Sequence, residues 1–187
     1  MQIILASRSP RRKKALRQIV TRFRSIGVSE PRRAKGKTAA QKTSYLALAK
    51  CRAAARRFPR ALIIAADTLA SCRGKIMGKP ENRKDARAML KRLSGQRLDV
   101  ATSIAIAIPG RQQALCWPEC GWVKFRKLGE DEISRYLSSS LWRGKAAAVN
   151  AEEKPVRNWI VKKGGEFGAV AGLPAKKLGK ALHDIGI

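Results

Sequence analysis

Acidic residues are scarce in this chain. Only 13 Asp and Glu stand against 41 Lys and Arg in 187 residues, a formal net charge of +28. With a single His, the four Cys (Cys51, Cys72, Cys116, Cys120) complete no zinc-finger spacing, and no two of them form a C-x-x-C pair. They read as free thiols of a reducing compartment. No apolar run approaches the roughly 18 residues of a membrane span; Ala61 to Ala66 stops at Asp67. A secretory signal is not expected either, because the Arg/Lys cluster follows the short apolar MQIILA instead of preceding it. Residues 1–29 lack acids and superficially resemble a mitochondrial transit peptide, but Gln2 to Ala6 reads as a buried strand, so a cytoplasmic location is expected. Aromatics make up 5% and do not interleave with the basic runs, which removes the usual stacking platform for nucleic-acid bases.

What is present suffices for a core: 44% of the residues are hydrophobic. At about 100–200 residues per domain, residues 1–187 form one domain, or two small lobes sharing a core. The positive charge makes a polyanion the first partner to consider. Its clusters (Arg11 to Lys14, Arg32 to Lys37, Arg56–Arg57, Lys124 to Lys127, Lys162–Lys163, Lys176–Lys177) are spread along the whole chain. Dispersion favours compositional bias over a dedicated nucleic-acid surface, with nonspecific binding at low salt following either way.

Along the chain, strand and helix signals alternate. Gln2 to Ala6 is a short apolar strand; Ser9 then supplies a cap hydroxyl and Pro10 a first helical position. Ala15, Leu16, Ile19, Val20 and Phe23 follow at helical spacing. Helices are expected over Ser44 to Arg57, Glu81 to Leu93, Glu130 to Leu137 and about Lys176 to His183, and strands over Ala61 to Ala66, Val100 to Ile108 and Trp122 to Phe125. Alternation of this kind is the signature of an α/β fold.

Three places invite chemistry. Asp67 ends a buried apolar strand, where open α/β sheets place ligands; capping of the next turn is the alternative. The Ser7-to-Arg12 turn joins two hydroxyls and three guanidiniums to a helix N-terminus, a combination suited to phosphate. Gly78-Lys79-Pro80 sets a lysine just before a helix start, without the spacing of a Walker A loop. His183, Cys116 with Cys120, and the four Trp read as structural or solvated residues.

Seven short segments in order, LASRSPRR (5–12), AADT (65–68), GKP (78–80), LSG (93–95), VKF (123–125), WRGKA (142–146) and GLP (172–174), resemble the Maf family of nucleoside triphosphate pyrophosphatases across nearly the full chain. The resemblance implies a Maf/ITPase-like two-lobed α/β fold, with a mixed central sheet flanked by helices around a deep cleft, and commonly a homodimer. It implies hydrolysis of nucleoside triphosphates to the monophosphate and pyrophosphate with a divalent metal, Mg²⁺ or Mn²⁺. Ser7 and Arg12 match the family's phosphate-binding turn, Arg11 and Thr68 its selectivity positions, and Lys50, Lys79 and Lys145 its phosphate-contacting or site-ordering lysines. Asp67 matches the acid-base carboxylate and, with Glu30, the metal-binding carboxylates; Glu152 falls at a position that bears on the base. The chain departs from the family downstream of Lys145, where the family's glycine, aromatic and IQG read Ala147, Val149 and Ala151-Glu152-Glu153. An inactive family member and a basic nucleic-acid-binding protein are the two rival expectations.

Overall fold

In a computed structural model, residues 1–29, 31 and 33–187 are described. The elements run β1 (Ile3–Leu5), α1 (Pro10–Arg17), β2 (Arg24–Ser25), α2 (Ala39–Arg57), β3 (Leu62–Cys72), β4 (Lys75–Met77), α3 (Arg83–Leu93), β5 (Arg97–Ala107), β6 (Leu115–Phe125) and α4 (Glu130–Ser138). A 3-10 turn (Ala146–Ala148), α5 (Lys154–Arg157), β7 (Ile160–Gly165), α6 (Phe167–Ala171) and α7 (Ala175–His183) complete the chain. The strands form a seven-stranded mixed sheet in the order β2-β1-β3-β5-β6-β7, with β4 paired to β3. β1 lies parallel to both β2 and β3, and β7 antiparallel to β6. The α/β expectation holds. Among the described residues no helix is long and apolar enough to cross a membrane.

Residue contacts divide the chain into two compact units: Met1–Thr68 with Ala101–Glu119 and Gly172–Ile187, and Leu69–Val100 with Cys120–Ala171. In the first, strand alternation sorts side chains to two covered faces. Ile3, Leu5, Leu62, Ile64, Ala66, Ile104 and Ile106 pack with Leu16 of α1 and Leu178 and Leu182 of α7. Ile4, Ala6, Ile63, Ala65 and Ala105 pack with Ala47, Cys51 and Ala54 of α2 on the other face. Burial on both faces explains why these strands read as continuous apolar runs.

Several boundaries differ from the sequence expectation. α1 ends at Arg17, where the Gln18 N–H turns back to the Ala15 and Leu16 carbonyls; Ile19, Val20 and Phe23 still reach the same core from beyond the helix. α2 starts at Ala39, five residues before Ser44, because Thr38 and Gln41 form a capping box. α3 starts at Arg83, capped by the Asn82 side chain, and leaves Glu81 outside. β6 begins at Leu115, ahead of the expected Trp122, and runs through Pro118 and Gly121. β3 does not stop at Asp67 but continues to Cys72.

In the second unit, Glu132 of α4 accepts from both Arg126 Nη atoms, at 2.8 and 2.5 Å, and from the Gly129 N–H. Arg126 foremost, then that N–H, holds its carboxyl down at about 2 from an ordinary 4.5. A depressed carboxylate contributes stability that is present above pH 4.5 and is lost as pH falls towards 2. Acid titration of stability in Glu132→Gln should therefore be flatter over that window than in the wild type; parallel curves would rule the contribution out.

Candidate functional site

β1 is flanked by β2 on one side and β3 on the other, and the chain leaves β1 at Ser7, whose N–H turns back to the Leu5 carbonyl at 2.9 Å. This is a switch point of strand order, and the carboxyl end of such a strand is where open α/β sheets leave room for ligands. The register pairs Leu5 with Ile64, so β1 ends just as β3 reaches Ala66, Asp67 and Thr68.

Ser7 is buried, and its Oγ accepts from the Ser9 N–H (3.2 Å) and from Arg12 Nη1 (3.4 Å). Ser9 caps α1, its Oγ accepting from the Arg12 N–H, and Pro10 opens the helix as expected. Arg12 also donates from Nε to the Gly172 carbonyl (3.0 Å) and from Nη2 to Thr68 Oγ1 (2.9 Å). Thr68 Oγ1 is in turn 2.8 Å from Thr102 Oγ1. Three acceptors from three parts of the chain thus fix one guanidinium. Gly172 meets this role with φ at +92°, a backbone conformation that L side chains rarely adopt.

Asp67 projects to the opposite face of β3 from Thr68, as strand alternation requires. There it meets α2, where Lys50 Nζ lies 2.5 Å from its Oδ1 and both side chains are over nine-tenths buried. Asp67 is satisfied by Lys50 of α2 on one face and Thr68 by Arg12 and Thr102 on the other, so β3 continues past the point where its sequence turns polar. Nearby on the same face, Thr43 and Ser44 of α2 hydrogen-bond Ser103 of β5 at 2.7 and 2.9 Å. Cys51, next to Lys50, is no candidate nucleophile, since burial pushes its thiol up to about 12.

Of the expected residues, Ser7, Arg12 and Thr68 converge on one face of the first unit, and Lys50 and Asp67 on the other. Arg11 is partly buried on α1. Glu30 lies outside the described residues. Lys79, Lys145 and Glu152 belong to the second unit. Lys79 is exposed; the Gly78 carbonyl before it accepts from the Ala147 N–H at 2.8 Å. Lys145 is ion-paired with Glu153, whose Oε1 also accepts from Asn150 Nδ2 at 3.3 Å. Glu152 is exposed, and its backbone N–H donates to Asn150 Oδ1 at 3.2 Å. Thr102, the Gly172 carbonyl, Asn150 and Glu153 were missed by sequence reasoning. For Thr102 a signal existed: a Thr-Ser pair inside an otherwise apolar strand.

Ala147 and Ala148 both sit in the left-handed region, at φ +55° and +62°, and Ala147 is fully buried. An L-residue there costs about 1–2 kcal/mol, which glycine avoids at the expense of a more flexible unfolded chain. Ala147→Gly should raise stability by about 0.5–1 kcal/mol net, measured by urea denaturation. An unchanged or lower midpoint would mean that the lost methyl packing outweighs the strain.

The family model described as Maf-like protein matches residues 2–185. The chain is 38% identical to a dTTP/UTP pyrophosphatase of Pyrococcus horikoshii over 94% of its length and 92% of that protein. It is 42% identical to a protein of the same name from Pyrococcus furiosus, over 81% and 78%, and 34% identical to one from Bacillus velezensis, over 100% and 97%. Among solved structures, the Staphylococcus aureus Ham1 protein aligns with a TM-score of 0.49 at 15% identity, covering 67% of this chain and 72% of that one, too distant to inform the site. With the family model spanning all but the ends and these relatives matched over most of both lengths, the chain belongs to the Maf-like family.

Proposed function

We propose that this protein hydrolyses nucleoside triphosphates to the monophosphate and pyrophosphate. One observation carries the reading: at the carboxyl end of β1, a guanidinium fixed by three protein acceptors and a buried, cation-paired carboxylate flank the same strand position, Asp67–Thr68. The first set suits a phosphate, because Arg12 and the N-terminus of α1 supply charge and donors already held in place. The second suits proton transfer, because it sets a carboxylate, with a cation 2.5 Å from its Oδ1, beside the end of β1. Asp67 takes the proton from the attacking water, while Arg12 and Lys50 offset charge that builds on the phosphate oxygens.

A divalent cation, Mg²⁺ or Mn²⁺, is part of the proposal. Among the described residues no three His, Cys, Asp or Glu gather as a metal cage. The single hard oxygen donor of Asp67 still fits an ion of this kind, which is commonly held by one or two carboxylates together with substrate phosphates. Asp67 would hold it, with Glu30 assigned from the family resemblance, and when bound it would supply charge stabilisation at the phosphates. Pyrimidine triphosphates are the proposed substrates, following the names of the relatives, with noncanonical nucleotides accepted too and no strong selectivity for dTTP. A cytoplasmic location, a homodimer and salt-sensitive nonspecific binding of nucleic acid belong to the same reading.

The test is a panel of nucleoside triphosphates, each with Mg²⁺ or Mn²⁺, scored for pyrophosphate and monophosphate release by the purified protein. Release of both products in equal amounts is expected. Release of inorganic phosphate instead, or of nothing from any nucleotide, would overturn the reading and leave an inactive family member or a nucleic-acid-binding protein.

A further inference from the structure

We propose that Thr102 is a positioning residue for the anion-binding arginine, acting through Thr68; the proposal rests on the reading that the Ser7-to-Arg12 turn receives a phosphate. Thr102 is fully buried within β5, and β5 is the neighbour of β3 in the sheet. A buried hydroxyl is costly unless hydrogen-bonded, and Thr102 Oγ1 lies 2.8 Å from Thr68 Oγ1. Both residues face α1, on the same side of the sheet as the Ile104 and Ile106 side chains.

The chemistry fixes the direction of part of this chain of contacts. A guanidinium offers donors only, so Thr68 Oγ1 must be the acceptor of the 2.9 Å bond from Arg12 Nη2. A lone Thr hydroxyl turns about its C–O bond and can aim its hydrogen, in place of a lone pair, at a neighbour. The Thr102 hydroxyl removes that freedom by giving the Thr68 oxygen a second, fixed partner on the sheet side. β-Branching keeps χ1 of both threonines stiff, so the constraint passes from the sheet core to the guanidinium. Arg12 is therefore tied to the centre of the sheet as well as to its own turn, and affinity gained from pre-organising a binding group is lost when its support goes.

Thr102→Val keeps the shape and removes the hydroxyl; Thr102→Ser keeps the hydroxyl. For Thr102→Val the Kd for inorganic tripolyphosphate, measured by calorimetry, and the KM for UTP should both rise about five- to tenfold, with kcat within about twofold of wild type. Thr102→Ser should stay within about twofold in all three. Thr68→Val should weaken tripolyphosphate binding by a similar factor, and adding Thr102→Val to it should weaken binding no further, since the two act in series. If Thr102→Val fails to fold, Thr102→Cys, with its weaker donor and acceptor, should give a smaller rise in the same Kd. An unchanged Kd in the hydroxyl-lacking variant, or an equal rise in the Val and Ser variants, overturns the proposal and leaves Thr102 a packing residue. Tripolyphosphate binding that depends on Thr102 in a protein that releases no pyrophosphate would keep the positioning role and defeat the pyrophosphatase reading instead.

Discussion

Asp67→Asn should lower pyrophosphate release by about 10²–10⁴-fold while the protein remains folded. Nearly isosteric, the asparagine keeps a carbonyl oxygen where Asp67 Oδ1 now accepts from Lys50 at 2.5 Å, so the contact survives as a charge-assisted hydrogen bond. What disappears is the negative charge and, with it, the ability to take a proton at neutral pH. The cost to stability follows from the same change. Lys50, on the sheet-facing side of α2, is left with no compensating charge at 2.5 Å, and a loss of about 1–3 kcal/mol is expected. Turnover and the unfolding midpoint are measured on the same preparation, so the two effects are read separately. A variant that is folded, binds tripolyphosphate as the wild type does, and releases pyrophosphate at the wild-type rate would remove Asp67 from the chemistry.

How much of this could be read beforehand depends on whether the signal is local. Ser9 and Pro10 declare the start of α1 because cap and first-turn preferences act within four residues, and the structure has both in those places. The Thr38–Gln41 capping box is equally local, but the Ala- and Leu-rich run that marks the helix by composition begins only at Ser44. Asp67 was visible as a polar residue after an apolar run, but as a strand end. Only the position of Lys50, 17 residues earlier on a helix over the opposite face from Arg12, explains how the strand tolerates it. The Arg12–Thr68–Thr102 contacts join residues up to 90 positions apart, and no periodicity announces such a meeting. Glu153 shows the same limit. It was noticed as a departure from a family glycine, whereas its ion pair with Lys145 depends on the path of the chain through Ala147 and Ala148, two non-glycine residues at positive φ. The fold was legible because strand alternation and caps are short-range. The site was legible only as residue types, because its contacts are long-range.

Lys50→Met should be the most destabilising of these substitutions, by about 3–5 kcal/mol near neutral pH. Methionine fills most of the lysine's volume, so the packing of α2 on the sheet is nearly kept and the loss reports the charge. Asp67, over nine-tenths buried, is then an ionised carboxylate without its counter-ion at 2.5 Å, the costliest arrangement a buried pair can be left in. The carboxylate answers by holding its proton to higher pH, so two consequences have a fixed sign. The stability deficit shrinks as pH falls and Asp67 becomes neutral, and the acid limb of the pH–rate profile moves upward. Denaturation midpoints at several pH values, set beside the pH–rate profile, check both. The double variant Lys50→Met, Asp67→Leu separates charge from packing. Removing both charges restores apolar surface to the α2 face beside Ile63, Ala65 and Ala47, and stability should return to within about 1–2 kcal/mol of wild type. Turnover should not return, because no acceptor remains for the water's proton. A double variant as unstable as Lys50→Met alone would show that the loss came from packing on α2 and that the pair is not held together by its charges.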